Sequence, residues 1–241
     1  MAVVKADTET PDSRDGLVAY VYDYVLDMML TGQIKCGERI PETMIAERLG
    51  ISRTPIREAL RRLASAGIIK IYPKRFAEVI SFTEQSIKDL GFVRVMLDTI
   101  AAQLAIINGS NADFIRLREL TDKSLSEAKE GNIMAAVNFD CDFHMMLAAI
   151  GGNTFLIDMQ KDLYLKVKLL LCTADRKTED RVRSLHDHYE IIDRLLKRDA
   201  EGVIRLIYTH LADFYQLDME KYRTLHLNMS DIAAIAKDGK R

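Results

Sequence analysis

The chain has 241 residues, of which 48% are hydrophobic and 29% are charged, and its formal net charge at pH 7 is −2. These values are ordinary for globular domains and exclude a disordered chain, a collagen-like repeat and a coiled-coil rod. No uninterrupted apolar run approaches the roughly 20 residues that span a bilayer, and the N-terminus lacks the pattern of a signal peptide. Three widely spaced cysteines, Cys36, Cys141 and Cys172, argue against a disulfide framework. The sequence therefore predicts a cytoplasmic protein with no membrane partner.

The N-terminal residues predict a tail followed by two helices. Residues 1–14 are polar and have no apolar period, which is typical of a disordered tail. Apolar side chains then recur at three- and four-residue steps, which predicts an amphipathic helix over residues 16–31. A shorter helix follows over residues 41–49, and Gly50 ends it.

A third helix and a β-hairpin complete the first part of the chain. Ser52 belongs to a residue type that caps helix N-termini, and Gly67 ends the helix that it opens. Two short β-branched runs, 68–72 and 76–80, flank a turn at Pro73 and predict a small hairpin. A short helix, a tight turn, a second helix and a hairpin together predict a winged helix-turn-helix over residues 15–82.

The second part of the chain is predicted to be entirely helical. From residue 83 onward there is no proline, and short connections between long helices predict an antiparallel bundle. We expect the bundle over residues 83–228 and a tail over 229–241. The fold class is therefore mainly α, with an N-terminal winged helix-turn-helix, its small β-hairpin and a C-terminal antiparallel helical bundle. The six predicted helices cover residues 83–108, 112–129, 132–150, 154–174, 178–198 and 200–226.

The near-neutral total charge conceals a basic segment. Between Arg48 and Arg75 there are eight basic residues and one acid, Glu58. A helical wheel places the apolar residues of the third helix on one face and its polar and basic residues on another. Such a helix inserts into the major groove, where arginine pairs with guanine or phosphate, and a basic hairpin contacts the backbone. A merely solvated basic face remains the alternative. The predicted DNA-contacting residues are Ser52, Arg53, Thr54, Arg57 and Arg61 on the helix, with Lys74 and Arg75 at the hairpin tip.

Residues 37–69, GERIPETMIAERLGISRTPIREALRRLASAGII, resemble the winged helix-turn-helix of GntR-family transcriptional regulators. The string SRTPIREAL, residues 52–60, is the most recognisable part of that motif. The resemblance implies a DNA interface in which Arg53 and Arg57 contact bases. Wings of this family commonly carry glycine where this chain has Phe76, so the resemblance does not define the conformation or the groove contacts of this wing tip.

All five histidines lie in the second half of the chain. Asp140 and His144 are four residues apart and share one helix face, while His188 and His210 lie on the last two predicted helices. Three imidazoles and a carboxylate are suitable ligands for zinc, nickel or manganese. On spacing alone, scattered structural or surface histidines remain the more common explanation. His186 is interpreted as a surface residue, Cys141 as a core residue, and His226 has no assigned role.

A second resemblance concerns the helical half. The segments DCDFHMMLAAIGGN and HYEIIDRLLKRD resemble the effector-binding domain, of the FCD type, in the FadR/VanR branch of GntR regulators. Many members of that branch bind a metal through an Asp-x3-His pair and two later histidines. The resemblance implies that Asp140, His144, His188 and His210 are the ligands of a divalent ion, with zinc the first expectation.

Two further positions are candidates for effector binding. Arg94 and Asp98 are four residues apart on the first bundle helix, so Arg94 either meets an effector carboxylate or forms an intrahelical pair. Asn153 follows two glycines and is either a helix N-cap or a pocket donor. We expect both residues to contribute to the pocket.

These features predict a homodimeric, ligand-responsive repressor that binds a pseudo-palindromic DNA operator. The expected effector is a small carboxylate, because a metal with open positions beside an arginine suits one. A metalloenzyme, specifically a hydrolase, would use the same residues to activate water, but it leaves the basic segment unexplained. A regulator that senses the metal itself is the other alternative.

Overall fold

The structure, a computed structural model, describes residues 13–218. These residues form nine helices and one two-stranded antiparallel hairpin, so the predicted fold class is confirmed. In chain order the elements are α1 (Arg14–Leu30), α2 (Glu42–Leu49), α3 (Arg53–Ser65), β1 (Ile69–Tyr72), β2 (Phe76–Val79), α4 (Glu84–Asn108), α5 (Asn111–Glu130), α6 (Ile133–Gly151), α7 (Thr154–Thr173), α8 (Thr178–Leu196) and α9 (Ala200–Tyr215).

The first helix begins earlier than the sequence suggests. Ser13 is its N-cap and accepts a hydrogen bond from the backbone N–H of Gly16, and Arg14 is already helical. Arg14 also forms an ion pair with Glu58 of α3 at 3.0 Å. The expected tail therefore does not include these two residues, while residues 1–12 and 219–241, with His226 among them, lie outside the described part of the chain.

The turn between α2 and α3 depends on Gly50. Its φ of 66° is left-handed, a conformation that glycine adopts without a steric penalty. On α3 the apolar residues Ile56, Leu60 and Leu63 are buried against α1 and α2, as the helical wheel predicts. Ser52 occupies the N-cap position of α3, but its hydroxyl makes no capping hydrogen bond. Because Ile56, Leu60 and Leu63 face the core, the polar face of α3 is directed away from it.

The hairpin is one residue shorter at each outer end than predicted. Ile69 pairs with Val79, and Tyr72 pairs with Phe76, which leaves Pro73, Lys74 and Arg75 in the turn. Ile68 and Ile80 flank the strands without belonging to them. The hairpin packs beside α3 and encloses one end of the N-terminal core.

The remaining helices form the predicted bundle. Helix α4 packs against α6 and α9, and α5 packs against α6 and α8, around a core that contains Phe114, Phe143 and Ile207. The first five bundle helices agree with their predicted bounds within two residues. Helix α9 ends at Tyr215 instead of 226, because Gln216 adopts a left-handed conformation with φ of 51°.

Helices α4 and α6 are long and apolar enough to cross a membrane by length and composition alone. Their most apolar windows have mean hydropathies of 1.7 and 1.4, although charged residues interrupt the apolar runs of both helices. In each window 39% of the residues are buried inside the protein. Both helices also carry buried ionisable side chains, Arg94 and Asp98 in α4 and His144 in α6, and they pack against each other.

Helix α7 joins the bundle to the N-terminal core. Leu169 is fully buried within that core rather than within the bundle's main core. Lys166 Nζ donates a hydrogen bond of 2.8 Å to the carbonyl of Ala66, which caps the C-terminus of α3. Near the end of α7, Thr173 Oγ1 lies 3.8 Å from Cys36 Sγ. One helix of the bundle thus contacts the helix that carries the predicted DNA-binding residues.

Candidate functional site

The structure brings together the four residues expected to bind a metal. Helix α6 supplies Asp140 and His144, α8 supplies His188, and α9 supplies His210. One ligand atom from each lies within 4.8 Å of the others. His188 Nε2 is 3.2 Å from His210 Nε2 and 3.5 Å from Asp140 Oδ1. The scattered-histidine interpretation therefore does not apply to these three imidazoles.

The spacing and protonation of this cluster fit a divalent ion. Two nitrogens bound tetrahedrally to zinc at about 2.0–2.1 Å lie roughly 3.3 Å apart, close to the separation of the His188 and His210 nitrogens. His144 Nε2 is buried and has no hydrogen-bond partner among the described residues. Burial lowers the pKa of both His144 and His188, which favours the neutral imidazole that binds metals.

Two carboxylates lie behind the histidines. Asp98 Oδ2 is 3.1 Å from His144 Nδ1, and Asp187 Oδ2 is 3.2 Å from His210 Nδ1. A carboxylate at Nδ1 fixes the tautomer of the ring and leaves Nε2 available as a ligand. The cluster is therefore supported by residues outside the set of four.

Asp98 lies at the centre of a buried hydrogen-bond network. Its side chain accepts hydrogen bonds from the Tyr164 hydroxyl at 2.7 and 2.8 Å and from Gln160 Nε2 at 2.7 Å. Burial alone would raise the pKa of Asp98, but the contacts with His144 and Arg94 lower it below its usual value. Asp98 is therefore an ionised carboxylate within the protein.

Arg94 is buried beside the cluster. Its Nε lies 3.4 Å from Asp98 Oδ2, and its Nη1 donates a hydrogen bond of 3.1 Å to the Tyr215 hydroxyl. Its Nη2 is 3.8 Å from Asp140 Oδ2 and makes no hydrogen bond to any described residue. Burial would lower the pKa of Arg94, but the surrounding phenols and carboxylates raise it, so the guanidinium is charged. The intrahelical pair exists, and the same arginine also lines the cavity described below.

Gly91 allows Tyr215 to approach Arg94. A Cβ atom at position 91 would lie 2.3 Å from the Tyr215 side chain, far inside van der Waals contact. Helices α4 and α9 are therefore close at this level, and the Tyr215 hydroxyl can reach the guanidinium one turn further along α4.

The cluster opens into two adjoining chambers. The inner chamber has a volume of about 40 Å³ and the outer chamber about 260 Å³. Arg94, Asp140 and Arg181 line the inner chamber only. The residues that line both chambers are Arg176, Ser184, His210 and Phe214.

Asn153 does not line either chamber. Its side chain is exposed, and its Oδ1 accepts a hydrogen bond of 3.1 Å from the backbone N–H of Leu156, as an N-cap of α7 does. The expectation that it contributes to an effector pocket is therefore wrong, since the cap position directs it away from the cavity. His186 is exposed and Cys141 is buried, as expected.

Several residues of the site carry no local signal in the sequence. Tyr164 and Tyr215 are 70 and 121 positions from Arg94, so no helical period connects them with it. Arg176 and Arg181 lie in and just after the connection between α7 and α8. Their one local signal is the occurrence of three arginines within residues 176–183.

The predicted DNA-binding residues form an exposed surface. On α3, Arg57 Nε lies 3.2 Å from Glu42 Oε2, and Arg53 Nη2 donates to Thr43 Oγ1 at 3.3 Å. These contacts hold two guanidinium groups over the helix-turn-helix without burying them. The exposed residues are Ser52, Arg53, Thr54, Arg57, Arg61, Lys74 and Arg75.

The wing tip has its own local structure in place of the family's glycine. Phe76 packs against Tyr72 with ring centroids 4.6 Å apart, and the guanidinium of Arg39 lies 3.9 Å from the Phe76 ring. Lys74 takes the left-handed conformation, with φ of 58°. The left-handed residue therefore lies two positions before Phe76, and Phe76 itself anchors the wing to Arg39.

An exposed, arginine-bearing helix beside a basic hairpin, attached to a helical bundle, defines a winged helix-turn-helix transcriptional regulator. Comparison with known families agrees. Residues 17–79 match the gntR family of bacterial regulatory proteins, and residues 89–213 match the FCD domain. The chain belongs to the GntR family, which consists of DNA-binding regulators and not enzymes, so the regulator is confirmed over the metalloenzyme.

Individual relatives support this assignment. The chain is 27% identical to the HTH-type transcriptional regulator YdhC of Bacillus subtilis, over 78% of this chain and 85% of the relative. It is 27% identical to McbR of Escherichia coli, over 77% and 86%, and 23% identical to the E. coli repressor RspR, over 73% and 78%. The solved structure of E. coli McbR/YncC has the same fold, with a TM-score of 0.72, 21% identity and coverage of 85% of this chain and 98% of that one.

Proposed function

We propose that this GntR-family regulator is a repressor whose affinity for its operator changes when a small organic acid binds at a metal centre in the bundle. The observation that carries the proposal is the buried cluster of one carboxylate and three imidazoles, which opens into a cavity lined by arginines. Repression is supported by the relative RspR, which is named as a repressor. We place the DNA-binding domain at residues 15–82 and the effector domain at 83–228, in a cytoplasmic protein.

In this proposal Asp140, His144, His188 and His210 hold a divalent ion. Zinc is the first choice for a set of three imidazoles and one carboxylate, and nickel or manganese would also suit it. Bound there, the ion would supply positive charge and open coordination positions for the carboxylate of the effector. Arg94 offers its free Nη2 to the same carboxylate.

The DNA contacts are proposed from the exposed surface of α3 and the wing. Arg53 and Arg57 are placed to enter the major groove from the N-terminal end of α3, while Lys74 and Arg75 contact the backbone. Ser52, Thr54 and Arg61 complete the interface along the same helix. The two DNA-binding domains of a dimer would bind a pseudo-palindrome with half-sites about 34–36 Å apart.

The proposed dimer forms through the outer surface of α4 and α7. Val93, Met96 and Ile100 form an exposed apolar stripe on α4, and Phe155 and Met159 are exposed on α7, with Phe155 83% exposed. Exposed apolar residues at this density on two helices that pack together favour a protein interface. A second copy of the chain is the partner expected for the GntR family, whose members typically dimerise.

Metal content and DNA binding together test the proposal. His144→Ala combined with His188→Ala should lose stoichiometric metal, measured by elemental analysis, while circular dichroism stays helical. His186→Ala is the matched control, because its imidazole is exposed on the same helix as His188 and should have no effect. Full metal content in the double variant would show that the ligands are wrongly assigned.

Chelation separates effector binding from metal sensing. If the metal serves effector capture, its removal should abolish the response to carboxylates and leave operator binding by the ligand-free protein intact. If chelation alone abolishes operator binding, the ion itself is the signal. Operator binding in both states can be measured by fluorescence anisotropy at fixed salt, because salt changes DNA affinity strongly.

A further inference from the structure

We propose that the effector carries a second anionic group, a carboxylate or a phosphate-type group, which binds Arg176 at the junction of the two chambers. The first carboxylate of the same ligand occupies the metal centre beside Arg94. This inference rests on the proposed function, because it names the chemical class of the ligand that the effector site accepts.

The volumes of the two chambers favour a ligand that extends past the metal centre into the outer chamber. A water molecule needs about 10–15 Å³ of such volume, so the inner chamber of about 40 Å³ accommodates only a group the size of a carboxylate. The outer chamber, with a volume of about 260 Å³, has room for the rest of an organic acid. A ligand that occupies both chambers passes the four residues that line both of them. Among these four residues, Arg176 is the one whose side chain is permanently charged.

Arg176 forms no direct ion pair with a carboxylate within the described residues. Its Nη2 donates a hydrogen bond of 2.8 Å to the backbone carbonyl of Asp180, and its guanidinium lies 5.3 Å from the Phe214 ring. No carboxylate lies within 4.0 Å of its nitrogens within residues 13–218. By contrast, Arg183 of the outer chamber is paired with Asp180 Oδ1 at 3.0 Å.

The other two arginines of the inner chamber are already engaged. Arg94 is paired with Asp98 at 3.4 Å. Arg181 donates hydrogen bonds of 3.0 Å to the carbonyls of Leu171 and Ala174, so it caps the C-terminal end of α7. The free Nη2 of Arg94 is already assigned to the first carboxylate, and Arg181 is fixed as a helix cap, so Arg176 is the arginine that can bind a second anion.

Electrostatics at the junction favour an added negative charge. Burial and the neighbouring Arg181 lower the pKa of Arg176, and the carboxylates of Asp140 and Asp180 offset only part of this effect, so its charge is incompletely compensated within the protein. A ligand anion would supply it through a charge-assisted, bidentate contact. Beyond the junction the outer chamber presents two acids, Asp187 and Asp213. A second anion placed further out would meet these carboxylates, so a short spacer between the two anionic groups is expected.

The test compares matched acids on the metal-loaded, full-length protein by isothermal titration calorimetry. The probes are malonate, succinate and glutarate, each paired with the monocarboxylate of the same chain length, and 3-phosphonopropionate as the phosphate-type counterpart of succinate. The best two-anion ligand should bind about 10- to 100-fold more tightly than its monocarboxylate match. Preference between succinate and 3-phosphonopropionate identifies which second anion the site accepts.

Substitution of Arg176 should remove this preference. Arg176→Gln is expected to bind monocarboxylates as the unsubstituted protein does and to lose the added affinity for two-anion ligands. Arg183→Gln is the matched control, because it removes the same charge from the same chamber but from an arginine that is already paired. It should retain most of the preference.

Three results would overturn the inference. If the unsubstituted protein binds matched one- and two-anion acids with equal affinity, the site does not recognise a second anionic group. The proposed function would still stand in that case. An equal loss in Arg183→Gln and Arg176→Gln would show a general charge effect and not a contact with Arg176. Absence of binding by every acid would contradict the proposed function as well.

Discussion

Asp98 connects residues whose functions differ. Its carboxylate contacts His144, which faces the metal centre, and Arg94, which faces the inner chamber. It also accepts a hydrogen bond from the hydroxyl of Tyr164, which lies on α7. An ion bound at the metal centre and an anion bound at Arg94 would therefore both influence the carboxylate of Asp98. This carboxylate is fully buried and is not one of the proposed metal ligands.

Asp98→Asn should weaken metal binding without removing a ligand. The amide no longer fixes the His144 tautomer as a carboxylate does, so we expect metal affinity to fall by about 10- to 100-fold. The free energy of unfolding should fall by about 3–5 kcal/mol, because Arg94 loses its closest buried counter-charge. Competition with a chelator measures the first effect, and urea denaturation measures the second.

Asp158→Asn is the control for this substitution. Asp158 lies on the surface of α7, where it pairs with Lys161 at 2.9 Å, and its loss should cost less than about 1 kcal/mol. Metal affinity in Asp98→Asn equal to that of the unsubstituted protein would show that the contact with His144 does not support the centre.

Family resemblance made the four proposed ligands predictable, but the network around them was not. The Asp-x3-His pair of α6 shares a helix face and is visible in a helical wheel. Gln160 and Tyr164, by contrast, reach Asp98 from 62 and 66 positions away, and they do so only because α4 and α7 pack side by side. Asn153 shows the reverse case, in which a polar residue in a suggestive segment is used as a helix cap.

Helix α7 is the element through which the cavity and the DNA-binding surface meet. Tyr164, on one side of it, is hydrogen-bonded to Asp98, while Lys166 and Leu169 contact the N-terminal unit. A ligand can change operator affinity only if it binds the two arrangements of the protein with different affinity. A rotation or shift of α7 would alter both sets of contacts, since they lie within two turns of one helix.

Lys166→Met should reduce the effect of the effector on DNA binding. The substitution removes the 2.8 Å hydrogen bond to Ala66 at the end of α3 but keeps most of the side-chain volume. Coupling energies of this kind are typically about 1–3 kcal/mol, so the ratio of operator affinities with and without a bound acid should move toward one. Anisotropy titrations in both states measure that ratio.

Lys161→Met is the matched control on the same helix. Within residues 13–218 its ammonium pairs only with Asp158, and both side chains are exposed. An unchanged affinity ratio in Lys166→Met, or an equal change in Lys161→Met, would show that the contact with α3 does not transmit the response.

Hydrophobic periodicity predicted most of the helices, because a face that is buried at every third or fourth residue is a local property of the chain. The end of α9 was not predictable in this way, since Gln216 takes a left-handed conformation that non-glycine residues adopt uncommonly. The sequence also does not reveal that α7 packs against both the bundle core and the N-terminal core. Leu169 continues the apolar pattern of its helix, and the pattern does not reveal which of two cores receives it.

At the scale of the whole molecule, the outer surface of α4 accounts for the high hydropathy of that helix. One face of α4 contributes to the bundle core, and the opposite stripe of Val93, Met96 and Ile100 is exposed in a single chain. A dimer interface on this stripe would remove it from water. It would also fix the distance between two DNA-binding units, as a two-fold operator requires.

Met96→Glu combined with Ile100→Glu should therefore produce monomers. Two carboxylates at the centre of an apolar interface are costly to desolvate, whereas in the isolated chain both positions face solvent and the fold should be retained. Analytical ultracentrifugation measures the change of mass, and operator affinity should fall with it.

Ile115→Glu is the control for the monomeric variant. Ile115 is exposed and apolar but lies on α5, which is not one of the two helices of the proposed interface. It should leave the dimer intact. A dimer that persists in Met96→Glu/Ile100→Glu would place the interface elsewhere on the molecule.

The insertion of Leu169 into the N-terminal core has a consequence for protein engineering. Consider a hybrid regulator that joins the DNA-binding domain of one family member to the bundle of another, with the junction in the segment between β2 and α4. This hybrid would separate Leu169 from the N-terminal core in which it is buried. Such a hybrid would also place a foreign side chain against the end of α3. Exchange of DNA specificity in this protein should therefore carry the α7 positions 166, 169 and 173 together with the DNA-binding domain, or alter only the exposed face of α3.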